Sequence, residues 1–428
     1  MARRGPSSAP AARPLASVLA ALQVGCGSLA LLAAGCGSPA AESPVVADGP
    51  TTPADPAPAS SGVAPEIDPG PVATPDPVAA EAAVEERVRA VLGAVIDREA
   101  GNPANAWALS HGILARGPDF RATDGRLARD VLVDDWLQRT PDLHFETQRG
   151  EVRVEPHADL ILKTLVEAGL PLDAPIGTTD GSPTLRALLD ASRNRAKLGG
   201  ADGFFPSEND APWSVQAWCQ AGPQDSWTAS GRPTTSPEVA EQLLGSLERQ
   251  VDFIVQARAA GKPFAKRKQD IFAFTCGGAH LFQGAAACVA AGSVPDGASR
   301  IAAVVDTWLA RVPLETGLVD AAIKQHPDAS ILLVNQDIKF LGHLLESLGK
   351  AQRDGLWTPT AADREILKRV KLRLYQQILR FEAGGIYADK ALAGFAANPG
   401  SFQLYLDLVG DACHAWSGMR IQAALPAP

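Results

Sequence analysis

The sequence predicts an all-α protein, and three observations carry that prediction. Past residue 78 the apolar residues recur at three- and four-residue spacing in one segment after another. Helix-start signals precede several of these segments: Ser182-Pro183 and Ser236-Pro237 set a capping hydroxyl before a proline at the first helical position, and Thr360 precedes a long amphipathic run. Strand-like alternation marks one exception, LHFETQRGEVRV at 143–154, whose Arg149-Gly150 centre reads as the turn of a small β-hairpin.

Taken in order, the periodicity predicts helices over 79–99, 104–116, 125–138 and 157–168 before and after that hairpin. It continues with 183–197, 212–222, 237–261, 278–291, 298–312 and 315–325, and closes with 331–349, 361–383 and 399–417. So many helices on mainly short connections suit pairs stacked into a ring or a solenoid. One trace of repetition agrees. His157, His280 and His343 are each followed twelve residues later by a glycine, in HADLILKTLVEAG, HLFQGAAACVAAG and HLLESLGKAQRDG. Each histidine opens or enters an apolar helix that the glycine is suited to stop. This plan resembles that of the α/α toroids, shared by toroidal glycosidases, polysaccharide lyases and terpene-cyclase-like proteins, although no motif in the body assigns it to one of them.

With 428 residues, 46% of them hydrophobic, the chain can bury a sizeable core as one helical domain, expected over 79–420. The only charges in the first 35 residues are Arg3, Arg4 and Arg13. Without them 39 basic residues become 36 against 48 acidic ones, a net charge of −12. A body that acidic, with no basic stripe, has no general attraction for phosphate backbones, so nucleic acid is not an expected partner.

The N-terminus points to export. Three arginines in residues 1–14 and a run of Leu, Ala and Val from Leu15 to Ala34 form the charged and apolar regions of a secretory signal over 1–35. Gln23, Gly25, Cys26 and Ser28 interrupt that run, and no Lys or Arg cluster follows it, which argues against a retained membrane helix. The run ends in Leu32, Ala33, Ala34, Gly35 and Cys36, which resembles the lipobox of bacterial lipoproteins, with Ala33 where leucine is more usual. The resemblance implies cleavage before Cys36 and lipidation of its thiol, a stable membrane anchor. Gly37 in place of aspartate implies sorting to the outer membrane. From Cys36 to Val78 the chain has eleven prolines and no lysine or arginine, so it is expected to be a disordered tether rather than part of the core.

Candidate chemistry concentrates in three places. GGADGFFPSENDAPWSVQAWCQAG, residues 199–222, sets Glu208 and Asp210 before Pro212 and Trp213. Asp210 reads either as an N-cap or turn residue or as an acid beside an aromatic platform, with Glu208 and Trp213 as binding partners. FTCGGAHLFQG, residues 274–284, puts Gly277-Gly278 before a helix whose first turn holds His280, a candidate general acid or base. His343 is a further catalytic candidate, and His111 a binding candidate that could also face inward. The third place is the set Cys219, Cys276, Cys288 and Cys413, an even number in an exported body and therefore candidates for disulfides. About 12 helical residues separate Cys276 from Cys288 by roughly 18 Å, so Cys219 or Cys413 is the better partner for either. The WC at Cys219 and the CH at Cys413-His414 resemble the zinc-binding segments of lanthionine-synthetase cyclases. That resemblance implies zinc as an alternative at Cys219, Cys413 and His414, although the glycine expected after the histidine is Ala415.

No nucleotide loop, GxSxG elbow, HExxH helix or DxDG-type calcium loop occurs. The sequence thus carries two expectations: a lipid-anchored helical module that binds a polysaccharide or protein ligand, and, as the alternative, an envelope enzyme of α/α-toroid type acting on a polysaccharide or similar polymer by acid–base chemistry. They differ in whether Asp210, His280 and His343 gather in one concave pocket.

Overall fold

A computed structural model describes residues 77–425, apart from 151, 197–209, 224 and 230. The signal segment, Cys36, the tether as far as residue 76, and Glu208 lie outside the described residues. Helix α1 (Pro77–Val95) runs on through a π-helical turn to Ala100, and is followed by α2 (Ala106–Arg116) and α3 (Ala128–Val131), which a second π-helical turn extends to Trp136. Strands β1 (Leu137–Gln138), β2 (His144–Phe145), β3 (Gln148–Arg149) and β4 (Val152–Arg153) lead into α4 (Leu160–Glu167), α5 (Leu185–Arg195) and α6 (Ala211–Ala221). After β5 (Ser226–Ala229) and β6 (Arg232–Thr235) come α7 (Ser236–Ala259), α8 (Ala279–Ala290), α9 (Gly297–Gln325), α10 (Ser330–Arg353), α11 (Ala361–Ala383), α12 (Asp389–Ala397) and α13 (Phe402–Ala424). Among the described residues the fold is all-α with three two-stranded antiparallel sheets, β1–β2, β3–β4 and β5–β6.

Six helices close a ring: α2 packs on α4, α4 on α6, α6 on α8, α8 on α10, α10 on α13, and α13 back on α2. The helices that alternate with them in sequence, α1, α3, α5, α7, α9 and α11, each pack against ring helices from outside. The sequence explains which helix goes where. Ring helix α8, AHLFQGAAACVA, has no charged residue and is buried nearly all round, because it meets neighbours on both flanks and an outer helix behind. Outer helix α11 buries a single stripe, Leu367, Val370, Leu374, Ile378 and Phe381, and gives its charged residues to solvent. Among the described residues no helix is long and apolar enough to cross a membrane.

Several boundaries differ from the sequence expectation. The helices expected at 298–312 and 315–325 form one helix, α9, that passes through Pro313. Pro313 removes one backbone donor, but the buried Arg311–Glu315 pair at 3.0 Å straddles it and Leu309 and Val312 stay in the core, so a pair within the helix and core packing hold both halves in line. Helix α13 runs to Ala424 rather than 417, and α12 was not expected. The hairpin expected over 143–154 is reduced to β3–β4, Gln148↔Arg153 and Arg149↔Val152, turning on Gly150 at φ 59°; the start of that segment pairs backwards with β1 instead. A second hairpin, β5–β6, was not expected either.

Candidate functional site

Five of the seven histidines meet at the ring. His111 comes from α2, His157 from the turn before α4, His280 from α8, His343 from α10 and His414 from α13, while α6 adds Trp213; together they line a cleft of about 90 Å³. The imidazole rings of His343 and His414 stack with centroids 3.8 Å apart, and His280 stands edge-on to both at 5.1 and 5.6 Å. One ring nitrogen from each of these three lies within 4.8 Å of the others, an arrangement able to hold a metal ion. Trp213 sits 4.0 Å from His280 on one side and 5.4 Å from His157 on the other, and its buried indole N–H has no partner among the described residues.

Each histidine is placed by identifiable local chemistry. His343 and His414 can stack because α10 and α13 touch backbone to backbone. A Cβ on Gly342 would lie 3.1 Å from the Ala415 nitrogen, and one on Gly418 would lie 2.9 Å from the Glu346 nitrogen. His280 follows Gly277 and Gly278, both at positive φ (68° and 83°). The buried Arg311 guanidinium donates to the Gly277 carbonyl at 2.9 Å and pins that turn. His157 precedes Asp159, a non-glycine residue at φ 64° whose carboxylate accepts from Ser192 Oγ (2.6 Å), Ser214 Oγ (2.5 Å) and Arg195 (3.2 Å). Those bonds tie the turn to α5 and α6, and Glu155 accepts from the Ile161 N–H at 2.7 Å to close the first turn of α4.

The outward nitrogens of four rings are engaged. His111 and His343 donate from Nδ1 to the carbonyls one turn back, Trp107 and Lys339, both at 2.8 Å. His157 Nδ1 meets Asp210 Oδ1 at 2.9 Å, and His414 Nδ1 meets Glu346 Oε2 at 2.6 Å. These acceptors favour the tautomer that carries its proton on Nδ1 and leave Nε2 as the basic nitrogen. Burial, with His414 next to it, pushes His111 down to about 3. Burial followed by neighbouring histidines holds His280 and His343 well below the ordinary imidazole value. At neutral pH these three are uncharged bases.

A polar floor lies beneath the histidines. Glu346, fully buried, also accepts from Ser417 Oγ at 3.1 Å and pairs with Lys350 Nζ at 2.8 Å. Lys350 further pairs with Glu167 and donates to Gln283 Oε1 at 2.8 Å, and Glu167 pairs with Lys163 at 2.6 Å. Burial works against both carboxylates, but Lys350 and His414 keep Glu346 well below the usual range, and Lys163 and Lys350 bring Glu167 to about 2. Two lysines and two carboxylates balance, which is how four charges survive burial.

The candidates read from sequence divide accordingly. His111, Trp213, His280, His343 and His414 share the cleft. Asp210 reaches it through His157; it occupies the N-cap position of α6, but its side chain makes no cap hydrogen bond there. The metal set Cys219, Cys413 and His414 does not assemble. Cys219 is joined to Cys288 in a disulfide that links α6 to α8, and the Cys413 thiol, pushed up by burial, faces away, about 100° round the helix from His414. Among the described residues Cys219–Cys288 is the disulfide that the structure shows. Sequence reasoning named His157 only as part of a repeat and missed Glu346, Lys350, Lys163 and Glu167. Their signal was present: two oppositely charged pairs at i,i+4, Lys163–Glu167 among the apolar residues of α4 and Glu346–Lys350 in α10. No protein-family model matches this chain, and neither does a curated protein or a solved structure.

Proposed function

We propose that this chain is an enzyme of the cell envelope whose chemistry takes place in the histidine cleft. The observation that carries the reading is convergence: His280, His343 and the Asp210–His157 pair, drawn from distant stretches of sequence, meet around one concave cleft with Trp213 between them. A carboxylate on Nδ1 orients the His157 imidazole and makes Nε2 its basic nitrogen, the arrangement a general base needs. Trp107 and Trp213 give the cleft aromatic walls, and the unpartnered Trp213 N–H is a donor for a ligand oxygen. A cleft of about 90 Å³ admits one small group, so a polymer such as a polysaccharide would be addressed at a single unit or a chain end. In this reading lipid on Cys36 and the tether behind it hold the ring at the outer membrane, near such polymers.

The test is turnover by the full-length protein in detergent micelles, read by mass spectrometry of products from a panel of envelope polysaccharides. Activity reduced about 10²- to 10⁴-fold in Asp210→Asn and His157→Ala, with the fold intact, is the expected result. Saturable binding with no product from any polymer would favour a binding module instead.

A further inference from the structure

We propose that His280, His343 and His414 form a mononuclear zinc site at the centre of the ring. The inference deepens the enzyme reading, because a zinc ion would add a Lewis acid to the cleft, but it rests on geometry that holds whether or not the protein turns over a substrate.

Zinc is held by imidazole nitrogen at about 2.0–2.1 Å in tetrahedral sites, so ligating nitrogens stand roughly 3.4 Å apart. The three nitrogens here already lie within 4.8 Å of one another, a gap that small rotations of the rings can close. Three imidazoles and one open position is the donor set of a catalytic rather than a structural zinc, and all three histidines line the cleft.

The surroundings of the ligands make the same case independently. A zinc-binding histidine commonly donates its other ring N–H to a carboxylate or a backbone carbonyl, which fixes the tautomer and the ring plane. Glu346 does this for His414 at 2.6 Å, and the Lys339 carbonyl does it for His343 at 2.8 Å. A fully buried glutamate, itself held by Lys350 and Ser417, is a costly feature if its only task is to orient a core histidine. His343 and His414 are pressed together by helices in backbone contact, and His280 is set by a turn suited to glycine, since Gly277 and Gly278 take φ of 68° and 83°. The histidines are therefore held in place by the main chain, as a metal site requires. His111 is adjacent, its ring 5.4 Å from that of His414, and His157 lies beyond Trp213 on the far side of the cleft. Bound zinc would lower the pKa of a water in its open position.

The deciding experiment is metal reconstitution. Full-length protein is stripped with a chelator, dialysed against buffered zinc and analysed for metal per chain, with circular dichroism as the folding control. The expected result is one zinc per chain in the wild type and in His157→Ala, and none in His343→Ala or in His280→Ala, whose side chain lies at a helix start. Glu346→Gln is expected to weaken zinc affinity by about 10- to 100-fold. X-ray absorption should show three imidazoles in the zinc shell. Folded wild-type protein that takes up no zinc overturns the proposal whether or not it is active, and so does full zinc retention in folded His280→Ala. Stoichiometric zinc lost in His280→Ala, with no turnover on any polymer, upholds the site and sinks only the enzyme reading.

Discussion

Glu167 shows at the scale of one residue how the ring keeps charge in its interior. Its two neighbours, Lys163 and Lys350, come from the same helix and from across the ring, and together they outweigh the cost of burial and hold its pKa near 2, against an ordinary value of 4.5. A carboxylate depressed in the folded state contributes stability that is complete above the unfolded value and is lost as pH falls through the folded one. Wild-type unfolding free energy is therefore expected to fall between about pH 4.5 and pH 2. Glu167→Gln should be less stable at pH 7 by about 3–5 kcal/mol, because two buried lysines lose a shared partner, and it should show a shallower loss over that acid window. Urea titrations at a series of pH values measure both. Equal slopes for the two proteins would mean that folding leaves the Glu167 pKa where it is in the unfolded chain.

At the scale of the element, the histidines are only as well placed as the turns and contacts that carry them. Asp159 receives two buried hydroxyls and an arginine, and Ser192 in turn accepts the Trp218 indole N–H at 2.9 Å. Asp159→Ala leaves those donors unpaired and should cost about 2–4 kcal/mol, since each unsatisfied buried group costs about 1–3 kcal/mol; a urea midpoint unchanged from wild type would contradict this. Gly418→Ala tests the contact between α10 and α13. Its new methyl meets main chain rather than a movable side chain, so the helices must part. A loss of about 1–3 kcal/mol is expected, and zinc uptake should fall further in this variant than in a surface alanine variant of equal stability.

For the whole molecule the governing fact is closure. Helix α13, near the end of the chain, packs on α2, near its beginning, so the ring is completed only when distant segments meet. Circular dichroism and tryptophan fluorescence should accordingly report one coincident unfolding transition. The Cys219–Cys288 disulfide ties two adjacent ring helices across 69 residues of sequence. Replacing both cysteines with serine should lower stability by about 2–4 kcal/mol through the freer unfolded chain. Identical melting in oxidising and reducing buffer would show that the bond is not formed in solution.

Most helices were legible because helical periodicity is local. An apolar stripe such as that of α11 can be read within two dozen residues, and its Thr360 start is visible as a capping hydroxyl, here bonded to the Asp363 N–H at 3.2 Å. The histidine–glycine spacing was legible for the same reason. Gly169, Gly292 and Gly355 all adopt positive φ just past ring helices α4, α8 and α10, so the repeat marked ring helices by their ends. Local reading failed where neighbours decided the outcome, as at Pro313, which core packing carries through a single helix. It failed at the site for a deeper reason. His157 and Asp210 lie 53 residues apart and Glu346 and His414 lie 68 apart, and nothing in either segment names its partner. Sequence by itself determined which segments are helical, which faces are apolar and where several helices stop, because those follow from contacts between residues three or four apart. Only the tertiary structure decided that six of these helices close on one another and bring five histidines to one cleft, because that depends on lateral packing between segments hundreds of residues apart.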